Sequence, residues 1–324
     1  MTLLELAKSR TRRLSIVIGC RPGVKLAGYD DKTVMEDVDR KVASVLAFAE
    51  RFDPDVVFSI SGMASEAESL GAVVENKETG SQAVVVKPLG SCDDISLLEK
   101  HPIRDSRLCS IFLDSLRLLS ERVKDRPVAG SIAGPLSVSG QLIGLDRMLV
   151  LSVEKPGFLR SVLEIVTERV IEYLEMQVQC GAGFINVAEP SGSLLSPAAF
   201  RELCLPYLRA LFARIRVPYF LHICGNTNRH IDVLAETGAQ GISVDAMVDM
   251  RMASRILGPE TAICGNISAS GALLQGTPEE VRRTTAEMLE SMSGAQNYIP
   301  ASSCSIGRDA PHANLDAFFG EVRR

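Results

Sequence analysis

Short, nearly continuous apolar runs recur along this chain, and longer segments with a helical apolar period lie between them. The runs are LSIVIG (14–19), DVVFSI (55–60), PVAGSI (127–132), GFINVA (183–188), PYFLHI (218–223), GISVD (241–245), TAICG (261–265) and NYIPAS (297–302). Apolar residues at almost every position, rather than every second one, are expected of parallel strands covered on both faces. The intervening segments DDKTVMEDVDRKVASVLAFAERF (30–52) and PGFLRSVLEIVTERVIEYLEMQVQCGA (156–182) read as helices. The second opens on Pro and closes near Gly, the usual asymmetry of helix ends.

Eight such runs alternating with helices predict an α/β chain folded as a (β/α)8 TIM barrel. No Gly/Ser/Pro-rich linker divides it, so one domain over residues 1–324 is expected. The stretch 62–100 is too long for a plain connection. Its two β-like runs flank NKETGSQ (76–82) and predict a hairpin inserted over one barrel mouth.

Composition narrows the class. Hydrophobic residues make up 46% of the 324 and charged residues 23%, enough for a full core. No apolar run reaches the roughly 18–20 residues that span a bilayer. The start, MTLLELAKSRTRRLS, lacks the pattern of a signal peptide, so a cytoplasmic enzyme without membrane association is expected. A formal net charge of -5 with scattered basic residues argues against a general nucleic-acid binder. The eight cysteines are spread over the whole chain without a compact framework and are expected as thiols.

Two soft side chains, His222 and Cys224, stand at i and i+2 where the fifth run ends, so on an extended segment they point the same way. Cys304 follows the last run and Asp245 ends the sixth. In a barrel, catalytic groups gather at the C-terminal strand ends, and strands five and eight lie across the barrel from one another. One His with two Cys is a zinc set that leaves a coordination position open. A lone His-x-Cys is more often packing; the three together favour a metal. Cys264 lies inside its run and is expected to face the core or the helices. Glu189 and Asn266 follow strand ends as candidate substrate-facing groups, or else a satisfied buried carboxylate and a turn residue. Arg21 and Arg308 are candidates for pairing with an anionic substrate tail, against a solvated alternative. In VDAMVD (244–249), Asp245 or Asp249 alternatively caps a helix.

The segments AGPLSVSGQLIG (133–144), CGAGFINVAEPSGSLLSPAAFRELCLPYLRALF (180–212), CGNISASGALLQGTPEEV (264–281) and NYIPASSCSIGRDAPHANLDAF (297–318) carry a resemblance over nearly the whole chain. They resemble the uroporphyrinogen decarboxylase superfamily. Within it, His222, Cys224 and Cys304 are similar to the ligand pattern of the methylcobamide:coenzyme M methyltransferase branch. The decarboxylases lack that pattern, usually carrying histidine where Cys304 stands, and place an aspartate after the second strand, where this chain offers Ser59 and Ser61. Their arginine-rich substrate loop is only faintly echoed by CRPGVK (20–25). Cobalamin-independent methionine synthase, a more distant relative, adds a glutamate ligand whose matching position is Asp245, a fourth ligand or a supporting group.

The resemblance implies zinc on His222, Cys224 and Cys304, activating the thiolate of a small, coenzyme M-like thiol. It also implies a methyl-corrinoid supplied by a partner protein, since the chain has no Asp-x-His-x-x-Gly segment of its own. Zinc removes the proton that leaves a free thiol, with a pKa near ~8.5, a poor nucleophile at pH 7. Two thiolate ligands keep the bound sulfur electron-rich, whereas hydrolytic sites favour histidines and carboxylates. Methyl transfer to another acceptor such as tetrahydrofolate, a tetrapyrrole lyase, and a non-catalytic corrinoid-partner or zinc-storage module stay open. So does the oligomeric state.

Overall fold

The computed structural model describes residues 1–98 and 102–324. Seven strands form one curled parallel sheet: β1 (Val57–Phe58), β4 (Val128–Ala133), β5 (Phe184–Ala188), β6 (Tyr219–Ile223), β7 (Gly241–Val244), β8 (Ala262–Ile267) and β9 (Tyr298–Ser302). They are neighbours in that order, each joined to the next through at least one helix, as parallel connections require. The remaining two strands, β2 (Val73–Asn76) and β3 (Gln82–Val86), form a separate antiparallel pair.

The first apolar run, expected as a strand over 14–19, makes a single parallel bridge, Ile16 to Ala301 on β9. Beyond it, the Ile306 N–H donates to the Ile18 carbonyl at 3.0 Å, and side chains supply further bonds. The Ser15 N–H donates to the Asp55 carboxylate at 3.0 Å, and the Ile18 N–H donates to Ser302 Oγ at 2.9 Å. Asp55 and the Cys20 thiol, which donates to the Phe58 carbonyl at 3.0 Å, tie this run to the β1 segment on its other side.

Period-two alternation divides each strand between two environments. Residues such as Ile185, Val187, Leu221 and Ile242 pack under the helices. Alternate residues face inward, where the rings of Phe58, Phe184 and Phe220 meet at 5.3–6.4 Å between centroids. Below them the helix Leu3–Lys8, closed by a Thr2–Glu5 capping box, inserts Leu3 and Leu6. Gly241 makes room for this plug: a Cβ there would lie 2.6 Å from Leu3. Two residues further along two of these strands, the inward positions become Asn186 and His222. The interior therefore turns polar at the C-terminal strand ends.

The segment 30–52, expected as one helix, is two: Asp31–Glu36 and Val38–Phe52. Asp37 breaks it in extended backbone and accepts the Arg40 N–H, so its side chain competes for a helix donor. The β2–β3 pair leans back on the sheet. Gln82 accepts the Ala64 N–H, and Arg21 donates to the carbonyls of Thr79 and Gly80 in its turn. Of the stretch 62–100, residues 99 and 100 lie outside the described residues. Among the described residues no single helix is long and apolar enough to cross a membrane.

Candidate metal centre

β6 and β9, separated in the sheet by β7 and β8, bring three candidate ligands together at their C-terminal ends. The ligand atoms of His222, Cys224 and Cys304 all lie within 4.8 Å of one another. His222 Nε2 is 3.1 Å from Cys224 Sγ, which is 3.5 Å from Cys304 Sγ. The tetrahedral edges expected around zinc are about 3.6 Å for N–S and 3.8 Å for S–S. Both of these edges lie within about half an ångström of the tetrahedral values, so the residues fit the metal.

The surroundings orient each ligand. Ser243 Oγ, inward-facing on β7, sits 3.1 Å from His222 Nδ1. With Nδ1–H donating to Ser243, Nε2 keeps its lone pair towards the sulfurs. The Asp245 carboxylate accepts the Gly225 N–H at 3.0 Å and pins the turn that follows Cys224. Gly225 has φ +84°, a left-handed conformation that favours glycine. Ser302 donates to the Cys304 carbonyl at 2.9 Å while accepting from Ile18.

The two sulfurs share a proton. The hydrogen bond from Cys224 holds the Cys304 thiol well below the ordinary thiol range against burial, with the Ser305 N–H helping. The same bond, then burial, pushes Cys224 up.

The other candidate residues lie elsewhere or act differently. Glu189 is fully buried; its carboxylate accepts the Leu136 N–H and the Ser137 hydroxyl at the start of the helix Pro135–Ile143. The substrate-facing expectation for Glu189 gives way to helix capping. Gly134 is small for the same reason, since a Cβ would lie 2.3 Å from that carboxylate. Asn266 stands within β8, not past it, and donates to the carbonyls of Asp245 and Val248, holding the Asp245 loop. Arg21 and Arg308 are partly exposed, and each is held by an ion pair. Both pair with the buried Asp31, at 2.9 and 3.4 Å, and Arg308 also donates to the Tyr29 carbonyl. Asp249 caps the helix Met250–Leu257, and Cys264 is buried in the inner cluster.

Sequence reasoning missed Ser243, although it stands two residues before Asp245 and therefore shares its side of the strand. It also missed a small pocket that Ser305, the residue after Cys304, helps to line. Ile18 to Arg21, Phe58 to Ser61, Ser131, Asn186 and Ser305 line it.

A model of the uroporphyrinogen decarboxylase (URO-D) family matches residues 24–324. A methylcobamide:CoM methyltransferase, MtaA, from Methanosarcina barkeri is 29% identical over 63% of this chain, and the match spans 60% of its own length. A second, MtbA from Methanosarcina acetivorans, is 27% identical over 78% of this chain and 74% of its own. The solved structure of a methyltransferase from Methanosarcina mazei superposes with a TM-score of 0.90 at 22% identity, covering 99% of this chain and 96% of the other. A B12-independent methionine synthase from Shewanella superposes at 0.62 with 14% identity, covering 88% of each chain.

Proposed function

We propose that this chain, which belongs to the uroporphyrinogen decarboxylase family, is a zinc-dependent methyltransferase that alkylates a small thiol with a methyl group from a methyl-corrinoid protein. The observation that carries the reading is the convergence of His222 Nε2, Cys224 Sγ and Cys304 Sγ within 4.8 Å. Zinc held there supplies a Lewis acid that keeps a thiol deprotonated at neutral pH. The chain's own residues do the positioning. Ser243 sets the imidazole, Asp245 and Gly225 set the turn carrying Cys224, and Ser302 and Ser305 set Cys304. The thiol sulfur gains the methyl group and loses its proton, and the corrinoid cobalt leaves with the electron pair of the broken carbon–cobalt bond.

The names of the relatives support a corrinoid donor and a thiol acceptor of the coenzyme M kind. The reading includes a barrel closed between the first run and β1, with the β2–β3 hairpin over its open end, as a single domain. A tetrapyrrole lyase fits less well: among the described residues, the pocket lining contains Ser59 and Ser61 but no carboxylate to grip pyrrole nitrogens.

The test is metal content together with turnover. The expected outcome is about one zinc per chain and thiol-dependent demethylation of free methylcobalamin, followed by its spectrum. Cys304→Ala should lose most of the metal while keeping its circular dichroism, because Cys304 lies at the strand ends, outside the inner apolar cluster. Full zinc occupancy in that variant would remove Cys304 from the site.

A further inference from the structure

Cys224 and Cys304 bring their sulfurs to 3.5 Å, and among the described residues no other two of the eight cysteines are in sulfur–sulfur contact. Cys20, Cys109, Cys204 and Cys264 are buried, and Cys92 and Cys180 are partly exposed. A disulfide has an S–S separation of about 2.05 Å, so the pair has about 1.5 Å to close. Cys224 is the first residue after β6 and Cys304 the second after β9, so the movement falls on loop residues rather than on the strands. Both are partly exposed at the strand ends, where a small reagent reaches them. His222, in contrast, is 4% exposed, lies within β6 and is held by Ser243.

We infer that Cys224 and Cys304 are a reversible redox pair, oxidised by the disulfide form of the small thiol that the site methylates and giving up the metal as they close; the inference rests on the thiol reading above. A centre that admits a small thiol's sulfur presents two cysteine thiolates to that sulfur once the thiol has been oxidised. One cysteine thiolate attacks a sulfur of the small disulfide, whose S–S bond breaks, and a small thiolate leaves. The second cysteine then attacks the cysteine sulfur of the mixed disulfide. The Cys224–Cys304 bond forms and the second small thiolate leaves. The two cysteine sulfurs lose two electrons and the small disulfide gains them, so no further oxidant enters. The two departing thiolates carry the negative charge that had balanced the released ion. A neutral disulfide replaces both anionic ligands and leaves only His222 of the three. Methyl transfer therefore stops when the acceptor pool is oxidised, and returning thiol reverses each exchange in turn.

The experiment exposes zinc-loaded, thiol-free protein to bis(2-hydroxyethyl) disulfide. A chromogenic chelator follows the metal, and mass spectrometry of a non-reducing digest reads the cysteine pairing. About one zinc per chain should be released, with a new link joining the Cys224 and Cys304 peptides. The oxidised protein should bind zinc more than about a hundredfold more weakly, beyond the range for losing a supporting contact. Reduction, desalting and added zinc should restore the metal. A double variant, Cys92→Ser with Cys180→Ser, lacks the other two partly exposed thiols and should release zinc identically. Zinc retained with both thiols free, a reaction that stops at the mixed disulfide, or a link through any other cysteine overturns the redox pair. So does loss of zinc release in the double variant. Failure of the reduced, zinc-loaded protein to demethylate methylcobalamin with a thiol overturns the functional reading instead and leaves the pairing result standing. A chain that takes up no zinc overturns the metal-release half, and the digest of the metal-free protein then decides the pairing.

Discussion

Ser243 and Asp245 touch the candidate ligands without belonging to the set, and each controls a different degree of freedom. Ser243 fixes the ring of His222 through Nδ1, so Ser243→Ala should weaken zinc affinity by about tenfold while leaving one site per chain. Competition with a chromogenic chelator measures this; unchanged affinity would mean that packing alone holds the ring. Asp245 holds Gly225 through one oxygen. Asp245→Asn keeps an acceptor there and should retain zinc. X-ray absorption on the substrate-free protein then separates a supporting role, with sulfur, imidazole and water around the metal, from direct carboxylate ligation. At this scale the sequence was legible where residue type decides chemistry, as with His222, Cys224 and Cys304. It was illegible where partners decide: Glu189, Arg21 and Arg308 all follow strands as a substrate contact would, yet each is claimed by a distant part of the chain.

Helices and strands pack here with little clearance, and Gly23 is the sharpest case. It lies in the helix Pro22–Leu26 against the helix Val38–Phe52, where a Cβ would fall 2.1 Å from the Ser44 carbonyl oxygen and 2.9 Å from Phe48 Cβ. Backbone on the other side cannot move without shifting its helix. Gly23→Ala should therefore destabilise the fold by about 1–3 kcal/mol, the usual range for overpacking. The check is a lower urea midpoint at unchanged slope, and an unmoved midpoint would show that the two helices slide freely. The same scale explains the expected elements that shortened. Asp37 ends one helix and begins another, and Ser15 and Ile18 bond to side chains where a strand would use backbone. Apolar periodicity reports which face is buried; it says little about which neighbour completes a backbone hydrogen bond.

At the scale of the whole molecule, buried charges such as Glu66 and Lys41 work against folding at neutral pH. Glu66 is 1% exposed, and burial pushes its carboxyl up to about 7 although the Ala133 N–H pulls the other way. Its unfolded value is near 4.5, so the folded chain binds the extra proton between these values. The stabilisation it gives is present below about pH 4.5 and lost as pH rises through about 7, on the order of 3 kcal/mol. Lys41 behaves oppositely. Burial, then Arg21, lowers it to about 7 from 10.5, so its contribution improves as pH rises between those values. From these two groups stability is lowest near neutrality. Glu66→Gln should accordingly gain on the unaltered protein in urea midpoint between pH 5 and pH 8, and a constant difference over that range would contradict a buried, titrating Glu66.

The sequence by itself determined the alternation of elements, the three metal-competent residues and their position at strand ends, because periodicity and side-chain chemistry are local properties. Only the tertiary structure decided that Cys224 and Cys304, 80 residues apart, meet at 3.5 Å, and that Ser243 and Asp245 brace His222 and the turn after Cys224. Those facts depend on how seven strands stagger around a shared interior. Register and curvature are set by the packing of every strand against its neighbours, and no single segment carries them.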